Sequence, residues 1–182
     1  MKNSLRRIYI KKRKKCSPDF IEKAGEGIAE KFLSSHLLNK KSYMIYYPIN
    51  NEAPVMNLAK RLFERGKILT FPVTTEDDSI KPAQLIDFSN FSEGKYKIPE
   101  PEDKNFINPN QIEIVFVPGV VFDRSGGRAG YGKGCYDRFL ERSAAVKIGV
   151  CYEFQIHKTQ LVMEQHDIRM DYLLTEEGLY EV

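Results

Sequence analysis

Gly119, Gly126, Gly127, Gly130, Gly132 and Gly134 are six of the twelve glycines in the chain, and they fall within sixteen positions. Glycine at this density costs backbone entropy and so demands a reason. Arg128 and Lys133 sit among these glycines, and Tyr136-Asp137 follows directly. The combination suits an anion: unhindered N–H groups converge on phosphate oxygens, two cations neutralise them, and a following helix offers its positive N-terminus. A merely flexible surface loop has no need of interleaved cations or an anchoring Tyr-Asp pair.

The pattern Gly127-x-x-x-x-Gly132-Lys133 follows a Walker A loop until its last place, where Gly134 stands instead of the Ser or Thr that binds Mg²⁺. The spacing Gly130-x-Gly132-x-Gly134 also departs from the dinucleotide fingerprint G-x-G-x-x-G. A metal accompanying the phosphates must therefore use carboxylates. Asp137 lies just downstream, and Asp167 and Asp171 belong to the cluster His-Asp-Ile-Arg-Met-Asp at 166–171. The histidines, His36, His157 and His166, are scattered and suggest no Ser-His-Asp or Cys-His nucleophile. Cys16, Cys135 and Cys151 are odd in number and lack metal-ligand spacing, so neither a disulfide framework nor a zinc site is expected.

Elements that could position these groups are legible. Ser17-Pro18 reads as an N-cap followed by proline at the first helical position. Phe20, Ile21, Ala24, Ile28 and Phe32 then recur at helical spacing, predicting a helix over 18–35. Residues 42–49 read as a strand. Val55, Leu58, Ala59, Leu62 and Phe63 form a second helical stripe that Gly66 ends, and 67–72 read as the next strand. Strand, helix, strand with short connections predicts a βαβ unit and a parallel sheet. The less regular stretch 73–110 is expected to give edge strands and loops. Residues 112–117 form a near-continuous apolar run, the pattern of a central buried strand. The glycine segment therefore follows a central strand, where open α/β sheets bind ligands. A helix over 136–142 and strands over 146–152 and 170–175 complete the reading. The expectation is one α/β domain over 1–182, Rossmann-like, with a mostly parallel central sheet and helices on both faces.

The 182 residues are 42% hydrophobic and 29% charged, a globular composition. No apolar run approaches the ~18 residues of a spanning helix, so no membrane role is expected. The net charge of +3 hides an asymmetry. Eight of the 28 bases lie in residues 1–15 without an acid, leaving 20 bases against 25 acids, a net of −5, in the remainder. A solvated basic helix is the bland account of that end. Cys16-Ser17-Pro18-Asp19 follows the charge where a secretory signal would place an apolar stretch, so a reduced, cytoplasmic location is expected. No aromatic platform accompanies the charge, which argues against a nucleic-acid partner.

The segment PG-x-x-FD-x-x-GGR-x-G-x-GKG-x-YD-R-x-L resembles the signature of the 5-formyltetrahydrofolate cyclo-ligases, also called methenyltetrahydrofolate synthetases. Shorter pieces follow in the same order. Lys2-x-x-Leu-Arg6 is similar to the family's K-x-x-L-R, Asn51-Glu52 to its E-x-x-T segment, and Ile98-Pro99-Glu100-Pro101 to its I-x-E-P. Gln155-Ile156 and the closing HD-x-x-x-D resemble two more. The resemblance implies ATP-dependent conversion of 5-formyltetrahydrofolate to 5,10-methenyltetrahydrofolate. In that reaction the formyl oxygen is phosphorylated, N10 attacks the activated carbon, and phosphate leaves. It further implies that Lys2, Arg6, Gly130, Gly132, Gly134 and Tyr136 bind ATP, with Arg128 and Lys133 holding the transferred phosphoryl group as the catalytic pair. Asp137 and Asp167 would be Mg²⁺ ligands. Glu52 would accept hydrogen bonds from the pterin, and Tyr47, Tyr96, Tyr131 and Cys135 would line the folate site. The implied partners are ATP and a reduced folate, and a monomer is expected.

Some positions depart from the family pattern. Ala129 stands for leucine, Tyr131 for a residue that is often arginine, and Cys135 for the first of two adjacent tyrosines; Ala53-Pro54 follows Glu52 before no threonine. A folate- or nucleotide-binding paralogue with weakened turnover is the alternative these departures raise. A basic RNA-binding protein is a third reading, carried by residues 1–15 alone.

Overall fold

The computed structural model describes residues 2–182. In chain order the elements are α1 (Lys2–Arg13), α2 (Pro18–Leu33), β1 (Ser42–Met44), α3 (Met56–Glu64), β2 (Ile68–Thr74), β3 (Ile80–Gln84), β4 (Phe91–Glu93) and β5 (Pro99–Pro101). There follow β6 (Ile114–Pro118), β7 (Val121–Asp123), β8 (Arg128–Ala129), α4 (Cys135–Leu140), β9 (Val146–Val150), β10 (Ile156–His157), β11 (Tyr172–Leu174) and β12 (Leu179–Glu181).

The main sheet runs β12-β11-β9-β6-β1-β2-β3. Its five inner strands pair in parallel, whereas β3 and β12 close the two edges antiparallel. The expected βαβ unit is β1-α3-β2, and β6 is the central strand. From β1 the chain first builds outward through β2 and β3, then returns to β6 on the opposite side. The order therefore reverses between β1 and β6, and a crevice opens at their C-terminal ends, where ligands of such sheets sit.

Alternation along the strands divides the core. Tyr43, Ile45, Leu69, Phe71, Ile114 and Phe116 pack with Ile28 and Phe32 of α2 and Leu58 and Leu62 of α3. Met44, Val115, Val117 and Leu173 point to the other face, against Phe122, Phe139 and Leu140. That second face is covered by α4 and by the small sheet β10-β7-β8 rather than by long helices. Phe122 lies so close over β9 that a Cβ at Gly149 would stand 2.5 Å from its ring, so glycine is required there.

Several boundaries differ from the sequence reading. The strand expected over 42–49 ends at Met44, with one further sheet bond from Ile45 N–H to the Thr70 carbonyl. Pro48 has no N–H to continue it, and the chain turns away to form a loop at the crevice. Helix α2 begins as expected, with Ser17 Oγ accepting from Phe20 N–H. β12 carries no sequence pattern of its own and exists through its pairing with β11. Helix α1 is not a solvated rod, because Tyr9 and Arg13 are buried.

Candidate active site

Three segments meet over the β1/β6 crevice. The first is the turn after β1, where Asn50 and Asn51 both take left-handed backbone, a conformation asparagine tolerates better than most residues. That turn presents Glu52, whose Oε2 accepts from Ile49 N–H at 3.1 Å. The second is the glycine segment after β6. The third is the loop after β10, which carries Glu164, His166 and Asp167.

Asp123, buried at the end of β7, ties the second segment to the third. Its Oδ1 accepts from Ser125 N–H at 2.8 Å, Ser125 Oγ at 2.7 Å and Gly127 N–H at 3.0 Å. Its Oδ2 accepts from Leu161 N–H at 2.6 Å. Burial acts to raise the Asp123 carboxyl pKa, but these donors together hold it below its ordinary value. Asp123 belongs to the FD of the glycine signature, where the sequence alone gives it no role.

A cavity of ≈ 830 Å³ lies where the segments converge. The fifteen residues to which the family resemblance gives a role all line it: Lys2, Arg6, Tyr47, Glu52, Tyr96, Arg128, Gly130, Tyr131, Gly132, Lys133, Gly134, Cys135, Tyr136, Asp137 and Asp167. Of the six clustered glycines, however, only Gly130, Gly132 and Gly134 face it. Gly132 and Gly134 have φ of +99° and +67°, backbone that a side chain would strain. Gly119, Gly126 and Gly127 serve packing and the Asp123 turn instead. The expected helix N-terminus is reduced as well: α4 has six residues and no side-chain cap, so little dipole can accumulate. Positive charge here comes mainly from side chains.

Two of those side chains, Arg128 and Lys2, are tied to acids. Arg128, 6% exposed, donates from Nη2 to Asp137 Oδ1 at 2.7 Å and from Nη1 to the Pro118 carbonyl at 3.3 Å. Its Nε is buried without a partner among the described residues. Lys2 pairs with Asp167 and lies 3.6 Å from Glu164. Burial raises the Asp167 pKa, but the Lys2 ammonium and the Glu164 N–H outweigh it and leave the pKa low. Arg6 Nε donates to the Gly130 carbonyl at 2.6 Å, bringing α1 against the glycine loop. Lys133 makes no ion pair among the described residues, and its Nζ lies 5.7 Å from the centre of the Tyr96 ring.

Asp137 and Asp167 therefore reach the cavity as expected, each already beside a cation. Oδ2 of Asp137 and Oδ1 of Asp167 accept no hydrogen bond among the described residues. Two hard oxygen donors of this kind fit Mg²⁺, which is commonly held by one or two carboxylates together with substrate phosphates. No cluster of three or more His, Cys, Asp or Glu ligands occurs among the described residues. Asp171 does not join them. It accepts from Lys147 N–H at 2.8 Å and pairs with Lys147 Nζ at 2.9 Å, holding β11 to β9.

The remaining lining is aromatic and apolar. Tyr47 packs edge-on against Phe91, Tyr46 Oη donates to the Ala53 carbonyl, and Ile49, Ile80 and Ile98 add apolar wall. Tyr96 stands on the β4-β5 hairpin with φ +60°, its hydroxyl donating to Asp78. Glu100, from the I-x-E-P piece, is structural: buried, it accepts from Thr74 N–H at 2.9 Å and pins the hairpin to β2. Gln155 likewise donates to the Gly119 and Val120 carbonyls, at 3.2 and 2.8 Å.

The match to known proteins covers nearly the whole molecule. Residues 1–176 match the model of the 5-formyltetrahydrofolate cyclo-ligase family. The chain belongs to that family. It is thus a ligase of folate metabolism, and the phosphate-type segment and the aromatic wall described above are parts of a cyclo-ligase fold. The 5-formyltetrahydrofolate cyclo-ligase of Mycoplasma genitalium is 28% identical, over 95% of this chain and 96% of its own length. That of Mycoplasma pneumoniae is 29% identical, over 97% and 99%. The NMR structure of Aquifex aeolicus 5,10-methenyltetrahydrofolate synthetase superposes with a TM-score of 0.88 at 30% identity, covering 99% of this chain and 92% of that one. The Mycoplasma pneumoniae synthetase structure gives 0.79 at 26% identity, covering 96% and 98%.

Proposed function

We propose that this cyclo-ligase couples ATP cleavage to closure of 5-formyltetrahydrofolate into 5,10-methenyltetrahydrofolate, releasing ADP and phosphate. The observation that carries the reading is the convergence in one cavity of cation-rich glycine backbone and a buried carboxylate with aromatic walls. An amide oxygen is a weak nucleophile and an oxide a poor leaving group, so the protein's task is positioning and charge neutralisation.

The formyl oxygen attacks the γ-phosphorus and ADP leaves. N10 then attacks the formyl carbon and gives up its proton, and the C–O bond breaks with the former formyl oxygen departing in phosphate. Lys2, Arg6 and the N–H groups of Gly130, Gly132 and Gly134 hold the phosphates, with Tyr136 beside them. Arg128 and Lys133 meet the charge that develops on the transferred group. Mg²⁺, held by Asp137 and Asp167, would supply a hard positive charge to the phosphate oxygens. Glu52 accepts from the donor-rich pterin edge, and Tyr47, Tyr96, Tyr131 and Cys135 bound the folate. The same reading includes a monomer acting in the cytoplasm without nucleic acid.

The test is absorbance of the methenyl product on mixing enzyme with 5-formyltetrahydrofolate, ATP and Mg²⁺. Product dependent on all three supports the reading. Tight folate or nucleotide binding without product would favour the paralogue with weakened turnover that Cys135 raises.

A further inference from the structure

Arg13, at the last turn of α1, is fully buried yet lies outside the cavity wall. Its Nη1 donates to the Gly119 carbonyl at 3.4 Å, Nη2 donates to Tyr131 Oη, and Nε is left without a partner among the described residues. Glu52 Oε1 stands 4.0 Å from Nη1, and Glu52 is only 5% exposed. A buried ion pair is weak evidence for a stabilising role, since well-packed apolar groups of similar volume often replace one with little or no loss. An incompletely satisfied guanidinium next to a buried carboxylate calls for a functional reason.

The surroundings of Glu52 supply one. The side chains facing it are the phenols Tyr46, Tyr131, Tyr136 and Tyr152; Arg128 lies over the Tyr136 ring, 5.9 Å from its centre, and Arg13 is the cation that acts on Glu52 itself. Burial raises the phenol pKa values, so these rings stay neutral and cannot balance the carboxylate. Burial pushes the Glu52 carboxyl up too, against the Ile49 N–H, Arg13 and Tyr131, which lower it. Asn51 Nδ2 donates to the Arg13 carbonyl at 3.2 Å, tying the same turn of helix to the loop that presents Glu52.

We propose that Arg13 is a positioning residue for folate, acting through the charge of Glu52 and the placement of the Tyr131 ring without touching substrate. Helix α1 then serves both substrates, with Lys2 and Arg6 directed to phosphate and Arg13 supporting the pterin contact. This rests on the folate role of Glu52 proposed above.

The experiment measures KM for folate and for ATP across pH in the full chain, for Arg13→Gln, Arg13→Lys, Glu52→Gln and the double variant Arg13→Gln/Glu52→Gln. Arg13→Gln should raise the folate KM several-fold at the acid end of the range, and that KM should fall again as pH rises, because without the neighbouring cation Glu52 ionises only at higher pH. ATP KM should stay within about twofold, and the double variant should be no worse than Glu52→Gln. Arg13→Lys keeps the charge and should retain the wild-type pH profile. Folate and ATP constants that rise together, independently of pH, would reduce Arg13 to an anchor of α1 and overturn the proposal. If Arg13→Gln does not fold, Arg13→Lys decides by the same criterion. A wild-type folate KM in Glu52→Gln would instead remove Glu52 from the site, and the folate reading would fail at its source.

Discussion

Lys133 stands on the glycine loop with no carboxylate partner among the described residues, while Arg128 and Lys2 are each committed to an aspartate. A free ammonium can follow charge as it develops on a transferred phosphoryl group. Lys133→Ala should therefore lower kcat by about 10²–10³-fold, as loss of one preorganised donor does elsewhere, with the fold intact by circular dichroism. Near-normal turnover would take Lys133 out of the mechanism. Asp137→Asn and Asp167→Asn keep shape but lose the charge a hard cation needs, so each should raise the Mg²⁺ concentration for half-maximal rate. Unchanged titrations would leave the ion to ATP alone. Cys135 lies half-buried at the start of α4 and lines the cavity. A tyrosine there could lay a ring against the folate, and aromatic contacts add roughly 0.5–1.5 kcal/mol. Cys135→Tyr should thus lower the folate KM several-fold at saturating ATP, whereas an unchanged or higher value would mean that Tyr131 or Tyr96 already fills the space. At this scale the sequence was most informative where residue type is rare for its setting, as with clustered glycines. It was silent on Arg13 and Asp123, because an arginine or aspartate looks the same in sequence whether buried or solvated.

Among the elements, α1 departs most from its composition. Eight bases in fifteen residues read as a solvated face, yet Tyr9 packs with Val120, Val121 and Leu161 and brings the helix against the glycine segment. Lys2 and Arg6 then reach the cavity from the start of the helix. Replacing both by Ala preserves helix propensity, so steady-state kinetics should show a raised ATP KM with little change for folate. Equal effects on both would contradict the division of labour along α1. Helices α2 and α3 were legible because apolar spacing and flanking Ser17, Pro18 and Gly66 agree with their final packing. The strand over 42–49 was overextended because β-rich composition continues past the point where the chain leaves the sheet. Strands of two or three residues, such as β8, β10 and β12, depend on partners distant in sequence and leave no local period to read.

For the molecule as a whole, the reversal of strand order between β1 and β6 sets where the cavity opens, and Asp123 fixes two of the segments that enclose it. Asp123→Asn leaves a donor facing a donor and should cost about 2–3 kcal/mol, a fall in Tm of roughly 5–10 °C for a chain of this size. The pH dependence follows from the depressed Asp123 pKa. The folded state binds this proton less readily than the unfolded state, whose value is about 3.9. The stabilisation is thus complete well above that value and is lost as pH falls through it toward the folded pKa. Acid titration of Tm should be steeper below about pH 4 in the wild type than in Asp123→Asn; parallel curves would assign the loss to other carboxylates. The central claim is that the cavity brings the formyl oxygen against the γ-phosphate. Turnover of 5-formyltetrahydrofolate labelled with oxygen-18 in the formyl group tests it most directly. Mass spectrometry should find the label in the released inorganic phosphate, one atom for each methenyl product formed. Label in water, with unlabelled phosphate, would contradict the account.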